Sequence, residues 1–367
     1  MNNREHHFEI RPVTSVIATL MAGATLAACS SVPGTEEDTG TEHLGEATIA
    51  ASPQSTAQPA GTLIDTPNHA PAPVLIGLED GTVVLQQDST LTIGTPEQLQ
   101  NSEFRTLDSA ADCGEVSARN STIVLPCPHP ISEGDGAGGT VYLIDPYQPE
   151  LSTFKTTDIP VTAAALTDDG AVVAGASTTN KVAVFPADGD EVSSFVVDKQ
   201  TDQIIAVPRA DKTDAVALIN KDNTSIHQVL WEENKNGAAL RAGTGVGRIA
   251  ASDNDVVVAS DTRDGQLLVY TMDPVIRLHQ SIPVDPSPYA VAWDAHHSVA
   301  WIASTENNTL TAYDIATGVP EKKASLATIG DVRSLIIQPD GSLLVGSATD
   351  SRLQLISAAE ITQALGA

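Results

Sequence analysis

The chain has 367 residues, with 47 Asp and Glu against 19 Lys and Arg, giving a formal net charge of −28. A polyanion excludes nucleic acid as a partner, because phosphates demand basic patches, and it excludes lying flat on anionic headgroups. The surplus serves solubility first, and a basic partner surface or a divalent cation would complement it.

In chain order, the first element is an apolar stretch from Val13 to Leu26, preceded by Arg4 and Arg11. Its 14 residues are too few for a bilayer-spanning helix, which needs about 20. A short basic region, a short apolar region and small residues before a cut describe a secretory signal over residues 1–28. The ending Leu26-Ala27-Ala28-Cys29 resembles the lipobox of bacterial lipoproteins. The resemblance implies that Cys29 receives a diacylglyceryl thioether and becomes the mature N-terminus. Two or three acyl chains then anchor the protein stably to the extracytoplasmic face of a membrane.

Residues 29–73 read as a tether. Ser30 to Pro73 is rich in Pro, Thr, Ser, Gly and Ala, and no Lys or Arg occurs from Cys29 to Phe104. Such a segment buries too little to offset its ordering entropy. As a flexible coil it would span on the order of 35 Å. Within it, Gly61–Asp65 is the one expected ordered island.

From residue 74 to 367 the texture changes to short β-branched runs separated by Asp-Gly, Asn and Pro turns. Seven runs align on Val83, Val141, Val182, Ile226, Leu267, Leu310 and Leu353, with spacings of 58, 41, 44, 41, 43 and 43. A period of 40–45 residues made of short strands marks a β-propeller blade. In the clearest copy, 288–326, "YAVAW" is expected innermost, "SVAWIAS" second, "TLTAYDI" third, and Lys322–Leu326 outermost. The turns suit hairpins, since their central residues need positive φ. The expected fold is all-β, a seven-bladed β-propeller with a short C-terminal helix, where Ser357 and Glu360 form a capping-box pattern. That helix leaves the last blade without an outer strand, and Thr62–Asp65 is expected to supply it and latch the ring.

The style of the repeat resembles the YVTN/lactonase-like propellers of secreted bacterial proteins. It fits the WD40 type less well, because no Gly-His…Trp-Asp pair recurs. The long first spacing is placed around residues 106–139, which hold Cys113 and Cys127. Two leftover cysteines in an exported domain most simply form a structural disulfide. His129 between two prolines is poor support for a metal. "EGDGAGG" lacks the Lys and the helix of a phosphate-binding loop.

No convergent catalytic set is visible. The Asp-rich turns at 168–169, 188–190, 253–255 and 261–264 do not match a calcium loop, and His296-His297 reads as a solvent-facing turn. No Gly-x-Ser-x-Gly elbow or His-Glu-x-x-His occurs. The lactonase resemblance implies acidic residues, His and Arg around the central channel, for which Arg248, Arg333, His297 and Asp331 are the candidates. The sequence therefore reads as a lipid-anchored binding or scaffolding module of the cell envelope, with no catalytic residue, metal or cofactor assigned. Its expected partner is an envelope protein, a glycan or a small ligand. The alternative is a lactonase-like hydrolase.

Overall fold

The computed structural model describes Gly45 and residues 47–54, 57–128, 138–189 and 191–366. Cys29 and residues 1–28 lie outside these, as do His129, Asp190 and the Gly-rich run as far as 137.

Among the described residues twenty-eight strands form seven four-stranded sheets. The first strands of the blades are Val74–Gly77, Ser117–Arg119, Ala163–Leu166, Gln203–Arg209, Val246–Ala251, Pro288–Asp294 and Val332–Ile337. They pack side by side in that order, and the seventh returns against the first, so the ring is closed. In blade 6 the chain continues outward through Val299–Ser304, Thr309–Asp314 and Glu321–Ala327, all antiparallel. These are the strands expected from the sequence. Asn308, Asp211, Asp88 and Asn120 take the positive φ that tight hairpins require.

Burial explains the composition of each strand position. Val299–Ser304 is buried along its whole length, whereas Glu321–Ala327 is mostly exposed. A middle strand lies between two neighbouring sheets and has no solvent face, so alternation disappears there and persists only at the periphery. The core is accordingly divided into seven apolar clusters, one at each interface between blades. Trp301 fills the cluster between blades 6 and 7 and donates its indole N–H to Asp294 at 3.2 Å.

The seventh blade is completed from the other end of the chain. Thr62–Asp65 pairs antiparallel with Arg352–Ile356, Thr62 opposite Leu355 and Asp65 opposite Arg352. Ile64 points inward and joins Leu75, Leu99, Leu344 and Leu353 between blades 7 and 1. The helix Ala358–Leu365 follows, capped by Ser357 and Glu360, with Ile361 buried against blades 6 and 7.

Three sequence expectations need correction. The run at Val83 is the second strand of blade 1, Val83–Gln87, and the third is Thr90–Gly94. Taking Leu91 as the true counterpart shortens the first spacing from 58 to 50 (141 − 91). The remaining excess lies in residues 109–116 and 128–138, within the expected 106–139, and outside it in a capped helix, Pro96–Gln100, that precedes the outer strand Arg105–Asp108. Finally, Gly61–Asp65 is not the only ordered part of residues 29–73. Ala50 donates its amide to Ser287 Oγ and accepts from Thr305, Ser52 exchanges hydrogen bonds with Asp331, and Pro53 accepts from Asn308. This strap crosses blades 6 and 7 on the face where the first strands begin.

Candidate functional site

The inner strands leave a cavity of about 280 Å³ along the ring axis, lined by all seven blades. Small residues keep it open, including Gly77, Ala118, Ala163, Ala164 and Ala290. At the end where the first strands begin, charged side chains from several blades converge.

Arg248 and Arg333 are the third residue of Val246–Ala251 and the second of Val332–Ile337. Between their blades stands Tyr289, second residue of Pro288–Asp294 and 9% exposed. The Arg333 guanidinium lies 5.4 Å from the Tyr289 ring centroid. Lys221, in the turn after the second strand of blade 4, places Nζ 5.8 Å from the same centroid and 3.5 Å from the tyrosine hydroxyl. Cations over an aromatic face are attracted by its quadrupole. Arg248 pairs with Glu115, which precedes the first strand of blade 2. The Arg248 side chain is 17% exposed and that of Glu115 46%.

Electrostatics follow from this packing. Burial works to raise the Glu115 carboxyl, but the charge and hydrogen bond of Arg248, with Lys221 beyond it, prevail and hold it below its ordinary value. Burial works to lower Arg248, and Glu115 and Tyr289 outweigh it, so the guanidinium is held more firmly charged than usual. Asp202 is pushed upward by burial and by Asp222, although it accepts the Lys221 amide at 2.7 Å. The mouth thus presents guanidinium and ammonium donors beside one aromatic ring, on strands held by the blade cores.

The four sequence candidates separate. Arg248 and Arg333 meet at the mouth. Asp331 lies at the same face, but its carboxylate accepts from the Ser52 amide and the Thr349 hydroxyl. His297 stands at the opposite end of the ring, in the turn after Pro288–Asp294, bonded to Asp294 at 2.9 Å and Thr362 at 3.3 Å. The hydrolytic alternative loses its imidazole there. Glu115, Asp202, Lys221 and Tyr289 were missed from sequence. The available signal was position, since Tyr289 occupies the same place at the start of a first strand as Arg333. Among the described residues no group of three or more His, Cys, Asp or Glu gathers as a metal centre. Cys113 and Cys127 are joined by a disulfide, which ties the segment after blade 1 to the second strand of blade 2.

No family model matches the chain, and no curated protein matches it. Solved structures do. The WD40 domain of Neurospora crassa Pan2 superposes with a TM-score of 0.61 at 11% identity, over 83% of this chain and 97% of that one. A chain of the Mitotic Checkpoint Complex gives 0.65 at 10%, over 91% and 98%. The β-propeller domain of Cps50 (Swd1) from Myceliophteria thermophila gives 0.60 at 12%, over 84% and 98%. These likenesses establish the seven-bladed propeller fold. Function is carried by sites grafted on it.

Proposed function

We propose that this chain is a lipid-anchored binding module on the extracytoplasmic face of a bacterial membrane, engaging its ligand at the mouth of the propeller channel. The observation that carries the binding reading is the convergence of Lys221, Arg248 and Arg333, from three blades, on Tyr289 of a fourth. Rigid strands holding polar groups around a concavity are the usual construction of a recognition site. Support for export comes from the Leu26-Ala27-Ala28-Cys29 ending and the Cys113–Cys127 disulfide, which belongs to an oxidising compartment. The YVTN/lactonase-like repeat style accords with a secreted bacterial chain.

The test is capture from mild-detergent envelopes with the full chain, a Cys29→Ala form and a Lys221→Gln/Arg333→Gln form. The native chain should take up an alkyne-palmitate label and recover one envelope component, protein or glycan-bearing, in stoichiometric amount. Cys29→Ala should lose the label, and the double variant should lose the component. Label on Cys29→Ala would refute the anchor. Undiminished capture by the double variant would refute the mouth as the binding site.

A further inference from the structure

We propose that the channel mouth recognises a small organic anion, a carboxylate or phosphate carried on a compact body. The inference rests on the reading of the mouth as the binding site and names its ligand class. Acids outnumber bases heavily in this chain, and several cations at its periphery have a carboxylate at hand. Arg119, Arg209, Lys212, Lys322, Lys323 and Arg352 are all in ion pairs. The mouth instead gathers Lys221 and Arg333 on one ring. Among the described residues Lys221 and Arg333 have no carboxylate within salt-bridge distance, and Arg333 donates only to the Val332 carbonyl, at 3.3 Å. Their attraction to the Tyr289 ring offsets part of their mutual repulsion and leaves most of their N–H donors available to a ligand.

The two nearby carboxylates do not complete the set. Glu115 is committed to Arg248, and Asp202 accepts the Lys221 backbone amide at 2.7 Å. An anion placed beside Arg333 and Lys221 would supply the missing charge. It would also accept the planar fork of donors that a guanidinium offers to carboxylate or phosphate. The cavity volume of about 280 Å³ corresponds to roughly nine waters at about 30 Å³ each. That admits a ligand of benzoate or phosphorylated-sugar size against Arg248 and Arg333, which line the cavity. Tyr289, 9% exposed, holds the Lys221 and Arg333 cations at the rim.

The experiment is isothermal titration calorimetry at constant ionic strength on the full chain in non-ionic detergent. Inorganic phosphate and benzoate serve as separate probes. At least one should bind, and the Lys221→Gln/Arg333→Gln form should weaken it tenfold or more. A Lys322→Gln/Lys323→Gln form, altered on the outer strand of blade 6, should bind as the native chain does. Arg333→Lys should bind the probes more weakly than the native chain and more tightly than the double variant, because it keeps the charge and loses the planar fork. Equal affinities in every form, or no binding of either probe, would overturn the proposal. If neither probe binds while envelope capture still depends on Lys221 and Arg333, the mouth stands as the site and the anion class falls. If capture is also indifferent to those residues, both readings fall.

Discussion

Replacing Ile64 by Ala tests whether the ring is held shut by a strand contributed from before the first blade. Ile64 is 2% exposed and packs with Leu75, Leu99, Leu344 and Leu353, so its loss is felt by blades 7 and 1 together. Three carbons are removed, at about 0.8 kcal/mol each for transfer, or about 2.4 kcal/mol. A cavity of about 80 Å³ that fails to collapse adds about 2 kcal/mol more, at ~24 cal/mol per Å³. The expected destabilisation is therefore about 2.5–4.5 kcal/mol, and at ~2 °C per kcal/mol for a chain of this size Tm falls by about 5–9 °C. Urea unfolding followed by tryptophan fluorescence measures it, with calorimetry for Tm. Thr62→Ala, at an exposed position of the same strand, is the control and should stay within about 0.5 kcal/mol. An Ile64→Ala cost below about 1 kcal/mol, or an equal cost for Thr62→Ala, would refute closure by this strand.

Three further outcomes follow from the same packing. Cys113→Ser/Cys127→Ser removes a bridge of sequence separation 14, worth about 3 kcal/mol by loop closure, and should melt as the reduced native chain does; melting unchanged by reductant in the native chain would contradict it. Gly243 has φ +70°, and a Cβ there would fall 2.0 Å from the Asp261 carboxylate that holds the Thr244 and Gly245 amides. Gly243→Ala should cost more than about 2 kcal/mol in urea unfolding, and a neutral result would show that this turn is free to rearrange. Burial raises Asp202, Asp255 and Asp261 above 3.8, so their stabilisation is complete below that pH and declines as pH rises through the folded values. Glu115, lowered by Arg248 against its burial, contributes above 4.5 and is lost as pH falls through its folded value, while burial lowers His227, which loses stability below 6.5. At constant ionic strength the native chain should therefore lose Tm between pH 7 and pH 5 relative to a His227→Gln form; an identical pH dependence in the two forms would overturn the assignment.

The blade was legible because its determinants are local. Val182, Ile226, Leu267, Leu310 and Leu353 mark third strands through apolar runs bounded by turn residues, and the hairpin between Val299–Ser304 and Thr309–Asp314 requires only neighbouring sequence. The capped helix after Ser357 is equally local. Blade 1 misled because its second and third strands are both short apolar runs, and Val83 was aligned where Leu91 belongs. The strap at Ala50–Pro53 carried no signal, since its hydrogen bonds go to Ser287, Thr305, Asn308 and Asp331, more than 200 residues away.

The same distinction divides the site. Sequence alone determined the repeat, the ring of seven, the latch at Thr62–Asp65 and the cysteine pair. Arg248 and Arg333 were within its reach as polar residues at the start of inner strands. Only the tertiary structure decided that Arg248 meets Glu115 across 133 residues, that Lys221 and Arg333 share the Tyr289 ring, and that His297 is at the far end. The physical reason is that hairpin geometry is set by adjacent residues, whereas the company at the channel mouth is set by where a closed ring of seven sheets brings the strand ends together.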